Sequence, residues 1–587
     1  MSKITRRGFL RGALAVSVGA VGAGALSACG LATTKEKDVG TPVESEGSSA
    51  GTGTGVLPWL GEEPQISDAD IESEVSCDVI IVGCGLAGVA AARAAAEEGA
   101  RVVVFEKAGG PQSRSGDFAV INGKLAARWG RDNMDPDILA DSEMIECAYI
   151  PKRKIYTKWM ENGADVFDWF IEAKDDLYIC DTSFEKIPEN TECALFPYHL
   201  PLPEGYDWTK EKFPCFPTSV GFSPDQTPVV KANMAKATAE GAQAFYGHFV
   251  EKLIMEGGRC VGCYARNASS GKYVKATAGK GVILATGDYS SNQEILDHYC
   301  PEVRQNGVKG FFPGIDVEGN PINTGDGLKL GSWVGAAIQQ HHAPMIHWPA
   351  FNPANFTDQT VMGCSPFLLL NKEGKRFTNE DVPGQQLENQ VELQRDRIVF
   401  QIFDSKWKEQ VPRFAPQHGA RCYVIDDDMQ PNNINQLGSI TQAQFNKSLE
   451  QGVTVKADTL DALLDMLEGI DKQTALKSIE RYNQMAKNGK DEDFGKVPSR
   501  LFPVEAAPFY ASKATTAVML VCLGGLESDE ECHVYDDNRI VIPGLYVAGN
   551  IQGNRFAIQY PIPLKGASHS LALYYGYVAG KNAVKQI

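Results

Sequence analysis

Short, uninterrupted apolar runs mark the strands of this chain. They lie at Val79–Val82, within Arg101–Phe105, within Lys280–Ala285 and within Ile542–Ala548. Runs of this kind suit strands covered on both faces, as in a parallel sheet with helices packed above and below. The alanine-rich stretch Ala87–Ala96 predicts a helix directly after the first strand, and a second long helix begins near Gly566. Residues 135–178 read mainly as helices, with Ile138, Met144, Ile155, Trp159, Val166, Trp169 and Phe170 as their core-facing positions. Phe249–Met255 and Cys260–Ala265 predict a hairpin. The segment from Phe196 to Pro228, crowded with Pro, Tyr and Phe, reads as a long loop. The fold class is therefore α/β: a Rossmann-like nucleotide domain split in sequence by an inserted α+β domain.

Chemistry enters where the first strand ends. Gly83, Gly85 and Gly88 follow Val82 in Gly-Xaa-Gly-Xaa-Xaa-Gly spacing. The first glycine permits a tight turn, the second lets a pyrophosphate approach the backbone, and the third lets helix and strand pack closely. The free amides of the following helix then face the phosphates. The second strand ends at Glu106, an acid placed to accept the ribose hydroxyls of an adenosine. A strand, glycine turn, helix, strand and terminal acid in register point to a dinucleotide. The Gly- and Ser-rich segment after Glu106, which holds Ser113, Ser115 and Gly116, is suited to bring backbone amides to the same ligand.

Charge and composition narrow the partners. The 587 residues carry a net charge of −18, and no basic block lies outside the extreme N-terminus, which argues against nucleic acid. Fourteen cysteines are scattered. Cys260 and Cys263 form the one suggestive pair, but Tyr264 follows where a haem-attachment motif needs His, and buried structural thiols are the simpler reading. No metal site is expected. At the N-terminus Arg6 and Arg7 precede a short apolar stretch, as in a twin-arginine export signal, and Leu26-Ser27-Ala28-Cys29 resembles a lipoprotein box. The expected location is outside the cytoplasmic membrane, in the periplasm or at the cell surface, with Cys29 as the candidate lipid attachment. Residues 30–75 are expected to be a flexible linker, rich in Gly, Ser, Thr and Glu through about Gln65. The expected organisation is then 1–29 signal, 30–75 linker, 76–338 first part of the nucleotide domain, 339–505 insert, and 506–587 second part.

Taken together, the glycine turn with Glu106 and Lys107, Ser113–Gly116, Ala285–Gly287, Thr324–Gly327 (TGDG), Asn379–Glu380 and Gly544–Asn550 (GLYVAGN) resemble one family. It is the flavoprotein superfamily of fumarate reductases, succinate dehydrogenases and 3-ketosteroid dehydrogenases. The resemblance spans nearly all of Ser76–Ile587. It implies bound FAD, a capping domain that corresponds to the insert, and an active site between cap and flavin. Expected FAD contacts are Gly83, Gly85, Gly88, Glu106, Lys107, Ser113, Ser115, Gly116, Val250, Thr286, Gly287, Asp288, Asp326, Gly549, Asn550, Gly566, Ala567 and Ser568. No histidine lies between Glu106 and Arg128, so the flavin is expected to be non-covalent.

Departures from the fumarate branch matter as much. After Asn379–Glu380 that branch has a proton-donating arginine, where this chain has Asp381–Gln385; its histidine before Gly524–Gly525 is replaced by Val521–Leu523; its clamping arginine falls near Pro563. A small dicarboxylate needs paired cationic forks and is disfavoured as substrate. The C-terminal stretch around Tyr560-Pro561 instead resembles the ketosteroid dehydrogenase branch. That match makes Tyr560 the expected proton-transfer residue, flanked by Arg555 and Lys565 as candidate anchors for a carbonyl or carboxylate. His342 is a candidate hydrogen-bond donor to the substrate. The expected activity is reduction of a C=C bond conjugated to a carbonyl or carboxylate in an enoate or enone, in anaerobic electron transport. No haem motif or second flavin domain is visible, so electrons are expected from a separate membrane-associated or haem-bearing partner. The alternatives are a flavin dehydrogenase that desaturates a ketosteroid, or a flavin electron carrier without substrate chemistry.

Overall fold

The computed structural model describes residues 57–310, 314–347, 361–417, 419–429, 438–516 and 518–587. Arg6, Arg7 and Cys29, which carry the export and lipidation expectations, lie outside these residues. Strand β1 (Ile71–Val82), helix α1 (Leu86–Glu97) and strand β2 (Val102–Glu106) follow one another. They are joined in one parallel sheet by β3 (Gln243–Tyr246), β4 (Tyr273–Leu284) and β5 (Val541–Val547), in the order β5-β4-β1-β2-β3. A single row of the sheet runs Leu545, Val282, Ile80, Val103, Gln243. Val79 and Ile81 enter one hydrophobic core with α1, while Ile80 and Val82 enter another on the opposite face. That two-sided burial is why these strands are apolar without alternation.

Helix α2 (Ala567–Lys585) packs along α1. The seam is built from small residues: a Cβ on Gly576 would lie 2.4 Å from the Ala87 carbonyl oxygen, and one on Gly580 would lie 2.5 Å from that of Ala91. The expected hairpin forms from His248–Glu256 and Arg259–Asn267 and extends the sheet through β4. Cys260 and Cys263 are both buried in it as free thiols.

The inserted part has its own four-stranded sheet, in the order Leu368–Asn371, Ile398–Asp404, Phe509–Thr515, Thr454–Ala457. Its core is Leu368, Leu370, Phe400, Ile402, Ile479 and Tyr482, with the helix Lys472–Asn488 contributing the last two. The strand Phe509–Thr515 thus belongs to the insert's sheet, beyond the expected limit at 505. Its apolar residues alternate into that sheet's core, and only after it does the chain return to the nucleotide domain.

Two further expectations need correction. Residues 196–228 are not one loop: Ala194–Pro197 and Ser219–Ser223 pair antiparallel, and Thr227–Ala239 is a helix. Phe196, Val220 and Phe222 are buried there, so these residues are core; Pro197, Pro224 and Pro228 lie at element ends, while 198–218, between the two strands, is a connection with the single short 3-10 turn Trp208–Lys210. Residues 57–75 are not tether either. Trp59 is 2% exposed and joins the core on the hairpin side of the sheet, and β1 already begins at Ile71.

Candidate active site

The carboxyl ends of β1, β2, β4 and β5 converge on one cavity, the place where open parallel sheets bind ligands. Its wall includes Gly83, Gly85, Glu106, Lys107, Ser113, Ser115, Val250, Thr286, Gly287, Asp326, Gly549, Asn550, Gly566 and Ser568. Four expected contacts are not on that wall. Gly88 packs α1 against the turn, and a Cβ there would lie 2.0 Å from the Gly83 carbonyl oxygen. Gly116 is enclosed by Gln226 and Phe222. Asp288 is buried and accepts from the Ser290 amide (2.8 Å) and Asn323 (2.8 Å). Ala567 is buried beneath the start of α2.

The cavity's chemistry fits a dinucleotide. Both α1 and α2 point N-termini without a side-chain cap toward it, at Gly85 and Gly566, so free amides and the positive helix ends are available for anionic groups. Gly83 has φ +100°, and a Cβ there would meet the Ala285 carbonyl oxygen at 2.4 Å. At Gly85 a Cβ would meet protein only at 3.9 Å and would otherwise stand in the cavity. Thr286 Oγ1 is buried without a partner. Glu106 accepts from the Cys84 amide (2.7 Å) and the Ala108 amide (2.8 Å), which fixes its carboxylate at the end of β2; burial raises its pKa above the usual range. Lys107 bonds Thr324 (2.8 Å) and Asp326 (2.6 Å), tying the TGDG turn to the sheet. Ser113 is held by Thr227 (2.5 Å).

Away from the glycine turn the wall becomes apolar, with Met345, Leu520, Val521 and Ile562, and it carries Tyr560 and Lys565. Tyr560 is 6% exposed and stacks on Phe556, with ring centroids 5.2 Å apart. Burial, and after it the Glu143 carboxyl, push its phenol above the ordinary tyrosine range, while hydrogen bonds from Ser568 and the charge of Arg555 oppose the shift. The phenol is therefore protonated at neutral pH.

The other two expected catalytic groups do not reach the cavity wall. Arg555 is 1% exposed, donates to the Gln552 carbonyl (3.2 Å) and Asn550 Oδ1 (3.1 Å), and supports the strand end from behind. His342 is buried and stacks on Tyr299 at 3.9 Å. Its Nε2 donates to the Gln339 carbonyl (2.9 Å), which leaves Nδ1 to accept from the Tyr289 hydroxyl. Burial takes its pKa down to about 3, so it is neutral. A Cβ on Gly524 would lie 2.2 Å from that imidazole, which makes it part of the packing under the Gly-Gly turn.

Sequence reasoning missed several wall residues. Arg114, inside the Ser-rich segment, bonds Asn323 Oδ1 and the Leu520 carbonyl (3.3 Å). It thereby links that segment to the strand Val518–Leu523. His569 stands beside it, its Nδ1–H donating to the Asp117 carbonyl (2.8 Å). The sequence offered no signal for Arg114 beyond a cation in a Gly- and Ser-rich loop.

A split parallel sheet with a glycine turn, a terminal acid and two uncapped helix ends on one cavity defines a flavin-dinucleotide-binding oxidoreductase. The chain belongs to the family described as FAD binding domain, whose model matches residues 78–562. It is 26% identical over 547 residues to a fumarate reductase (cytochrome) of Shewanella frigidimarina, covering 90% of this chain and 79% of that protein. It is also 26% identical to a vinyl phenol reductase of Lactiplantibacillus plantarum, over 87% of this chain and 97% of that one. Among solved structures it resembles a 3-ketosteroid-Δ4-(5α)-dehydrogenase from Rhodococcus jostii RHA1 in fold, with a TM-score of 0.63, 22% identity, and coverage of 89% and 100%. FAD binding and oxidoreductase chemistry at C=C bonds follow from the family and its members.

Proposed function

We propose that this chain reduces a C=C bond conjugated to a carbonyl or carboxylate, with FAD bound non-covalently and Tyr560 as proton donor. The observation that carries this reading is a buried, protonated phenol on the apolar wall of the same cavity that holds the dinucleotide groups. Bound FAD supplies a hydride to the β-carbon of such a bond. The chain's own residues do the rest. Tyr560 gives a proton to the α-carbon, Ser568 at the start of α2 orients the phenol and stabilises its anion, and Met345, Leu520, Val521 and Ile562 keep water away from the reacting bond. The curated relatives named above carry the names fumarate reductase and vinyl phenol reductase, which supports reduction as the direction.

The Arg6-Arg7 pair and the Leu26–Cys29 box support, as part of this proposal, a location outside the cytoplasmic membrane with a lipid tether at Cys29, and a separate membrane-associated or haem-bearing protein is the proposed electron donor. Supplying the FAD-loaded protein with reduced viologen dye and a panel of enoates and enones tests the reading: dye oxidation with at least one of them is expected. Flavin reduction by 3-ketosteroids without dye-driven turnover of any enoate or enone would move the assignment to a dehydrogenase.

A further inference from the structure

Behind the wall at Lys565 and Asp117 lies a group of buried donors that the proposed chemistry does not use. Arg131 is 7% exposed; its Nη2 donates to the Tyr198 carbonyl (2.6 Å) and the His199 carbonyl (2.9 Å), while Nε and Nη1 have no partner. His199 is 4% exposed and held at φ +52°. Its Nδ1 faces the Cys422 thiol (3.6 Å) and its Nε2 has no partner; in the tautomer whose Nδ1 accepts from that thiol, Nε2 carries the proton and is a free donor. Thr218 Oγ1, 3% exposed, is also unpartnered. Lys565 places its ammonium 3.9 Å from the centre of the Tyr198 ring, and the Tyr198 hydroxyl donates to Asp117 (2.5 Å). Burial, then the charges of Lys565 and Arg131, hold His199 well below the usual histidine range, so both cations lie within electrostatic reach of its ring.

Three other arginines with buried side chains are paired with carboxylates, whereas Arg555, like Arg131, is met only by carbonyl and amide oxygens. Arg376 pairs with Glu380 and Asp491, each at 2.7 Å. Arg500 pairs with Glu211 (2.7 Å) and Asp381 (2.8 Å), and Arg93 with Glu97 (2.7 Å) and Glu172 (2.8 Å). Arg131 makes no ion pair among the described residues and is met only by carbonyls. The Arg131 guanidinium is thus a buried positive charge with no carboxylate beside it among the described residues. A buried charge of that kind is costly unless an anion joins it.

We propose that Arg131, His199 and Lys565 form a subsite for a carboxylate carried by the substrate at the end remote from its C=C bond. This inference rests on the reductase reading and names the substrate class within it: an enone or enoate with a distal carboxylate. A monoanion matches the Arg131 charge. Arg131, His199 and Thr218 stand outside the wall that carries Tyr560 and Lys565, which sets the anion apart from the reacting carbons. Entry is provided by the seam itself. Arg131, His199 and Thr218 come from the nucleotide half of the chain, whereas Cys422 and Tyr423, which stacks on His199 at 5.9 Å, come from the insert. Separation of the two parts opens the subsite, and closure buries the carboxylate.

The test compares two enones in the FAD-loaded protein, benzalacetone and its para-carboxylate, by their perturbation of the flavin visible absorbance, with benzoate alone as a third arm. The carboxylated enone is expected to half-saturate at a concentration at least about tenfold lower. Arg131→Met should bring the two half-saturation points together, and Arg131→Lys should restore part of the gap. Equal half-saturation in the wild type, no perturbation by either enone, or a gap that survives Arg131→Met overturns the proposal. So does benzoate binding as tightly as the carboxylated enone, which would make the site one for free anions. Because binding is read without turnover, a wild-type preference that persists while no enone or enoate oxidises the dye would sink the reductase reading and leave the subsite standing.

Discussion

Two alanine substitutions three residues apart, Gly85→Ala and Gly88→Ala, separate ligand approach from helix packing at the same glycine turn. Gly85 sits at the start of α1 with φ −81° and ψ −171°, a conformation open to alanine. Its added methyl meets protein only at 3.9 Å and projects into the cavity. The apoprotein should therefore melt as the wild type does, while the amides of the turn lose contact with the pyrophosphate. A hydrogen bond to a charged group contributes about 1.5–3 kcal/mol, so the FAD dissociation constant should rise by about 10- to 100-fold. Gly88 differs. Its methyl would lie 2.0 Å from the Gly83 carbonyl oxygen, 1.4 Å inside the 3.4 Å at which ordinary contact begins. Backbone stands on one side, and on the other α1 is held by Gly576 and Gly580 of α2, so neither can yield. Overpacking of this kind costs about 1–3 kcal/mol, and Gly88→Ala should reach the upper end and lose FAD as a consequence. Thermal melts of apoprotein and flavin-fluorescence titrations read the two effects separately. An unchanged FAD affinity in Gly85→Ala, with the fold intact, would refute the placement of the pyrophosphate at this turn.

Glu106→Gln sets an amide NH2 against one of the two backbone N–H groups that the carboxylate now accepts; urea titration should show a loss of about 1–3 kcal/mol, together with weaker FAD binding. Trp59→Ala removes a side chain 2% exposed from the sheet's core, and a loss of about 3 kcal/mol by the same titration would confirm that the fold begins well before β1. Burial raises the Asp491 carboxyl, but Arg376 and the amides of Lys496 and Phe494 outweigh it and bring its pKa down to about 2. A depressed carboxyl contributes stability that is complete above its unfolded pKa of 3.8 and is lost as pH falls toward 2. Acid unfolding monitored by circular dichroism should lose that part of its slope in Asp491→Asn.

The nucleotide half was legible in the sequence because its constraints are local. Strands buried on both faces must be apolar throughout, as Val79–Val82 are, and a pyrophosphate turn must be glycine where backbone meets backbone, as at Gly83 and Gly88. The rest depends on contacts far apart in sequence. Nothing near Phe196 or Phe222 reveals that their prolines end strands instead of marking a loop. Nothing near Trp59 reveals the core it fills. Phe509–Thr515 looks like the start of the returning domain until its partner Ile398–Asp404 is known. His342 and Arg555 carry the right chemistry in the right neighbourhood, yet His342 is held by the Gln339 carbonyl and the Tyr289 hydroxyl, and Arg555 by the Gln552 carbonyl and the Asn550 side chain, so neither reaches the cavity wall. Arg131 and His199 become conspicuous only once their unpartnered nitrogens are seen beside Lys565.

Tyr560→Phe in the dye-coupled assay tests the proton donor most directly, using any enoate or enone that the wild type consumes. Loss of a positioned general acid should lower kcat by about 10²- to 10⁴-fold, with the flavin spectrum and the half-saturating substrate concentration retained. A variant that turns over at the wild-type rate would contradict the account.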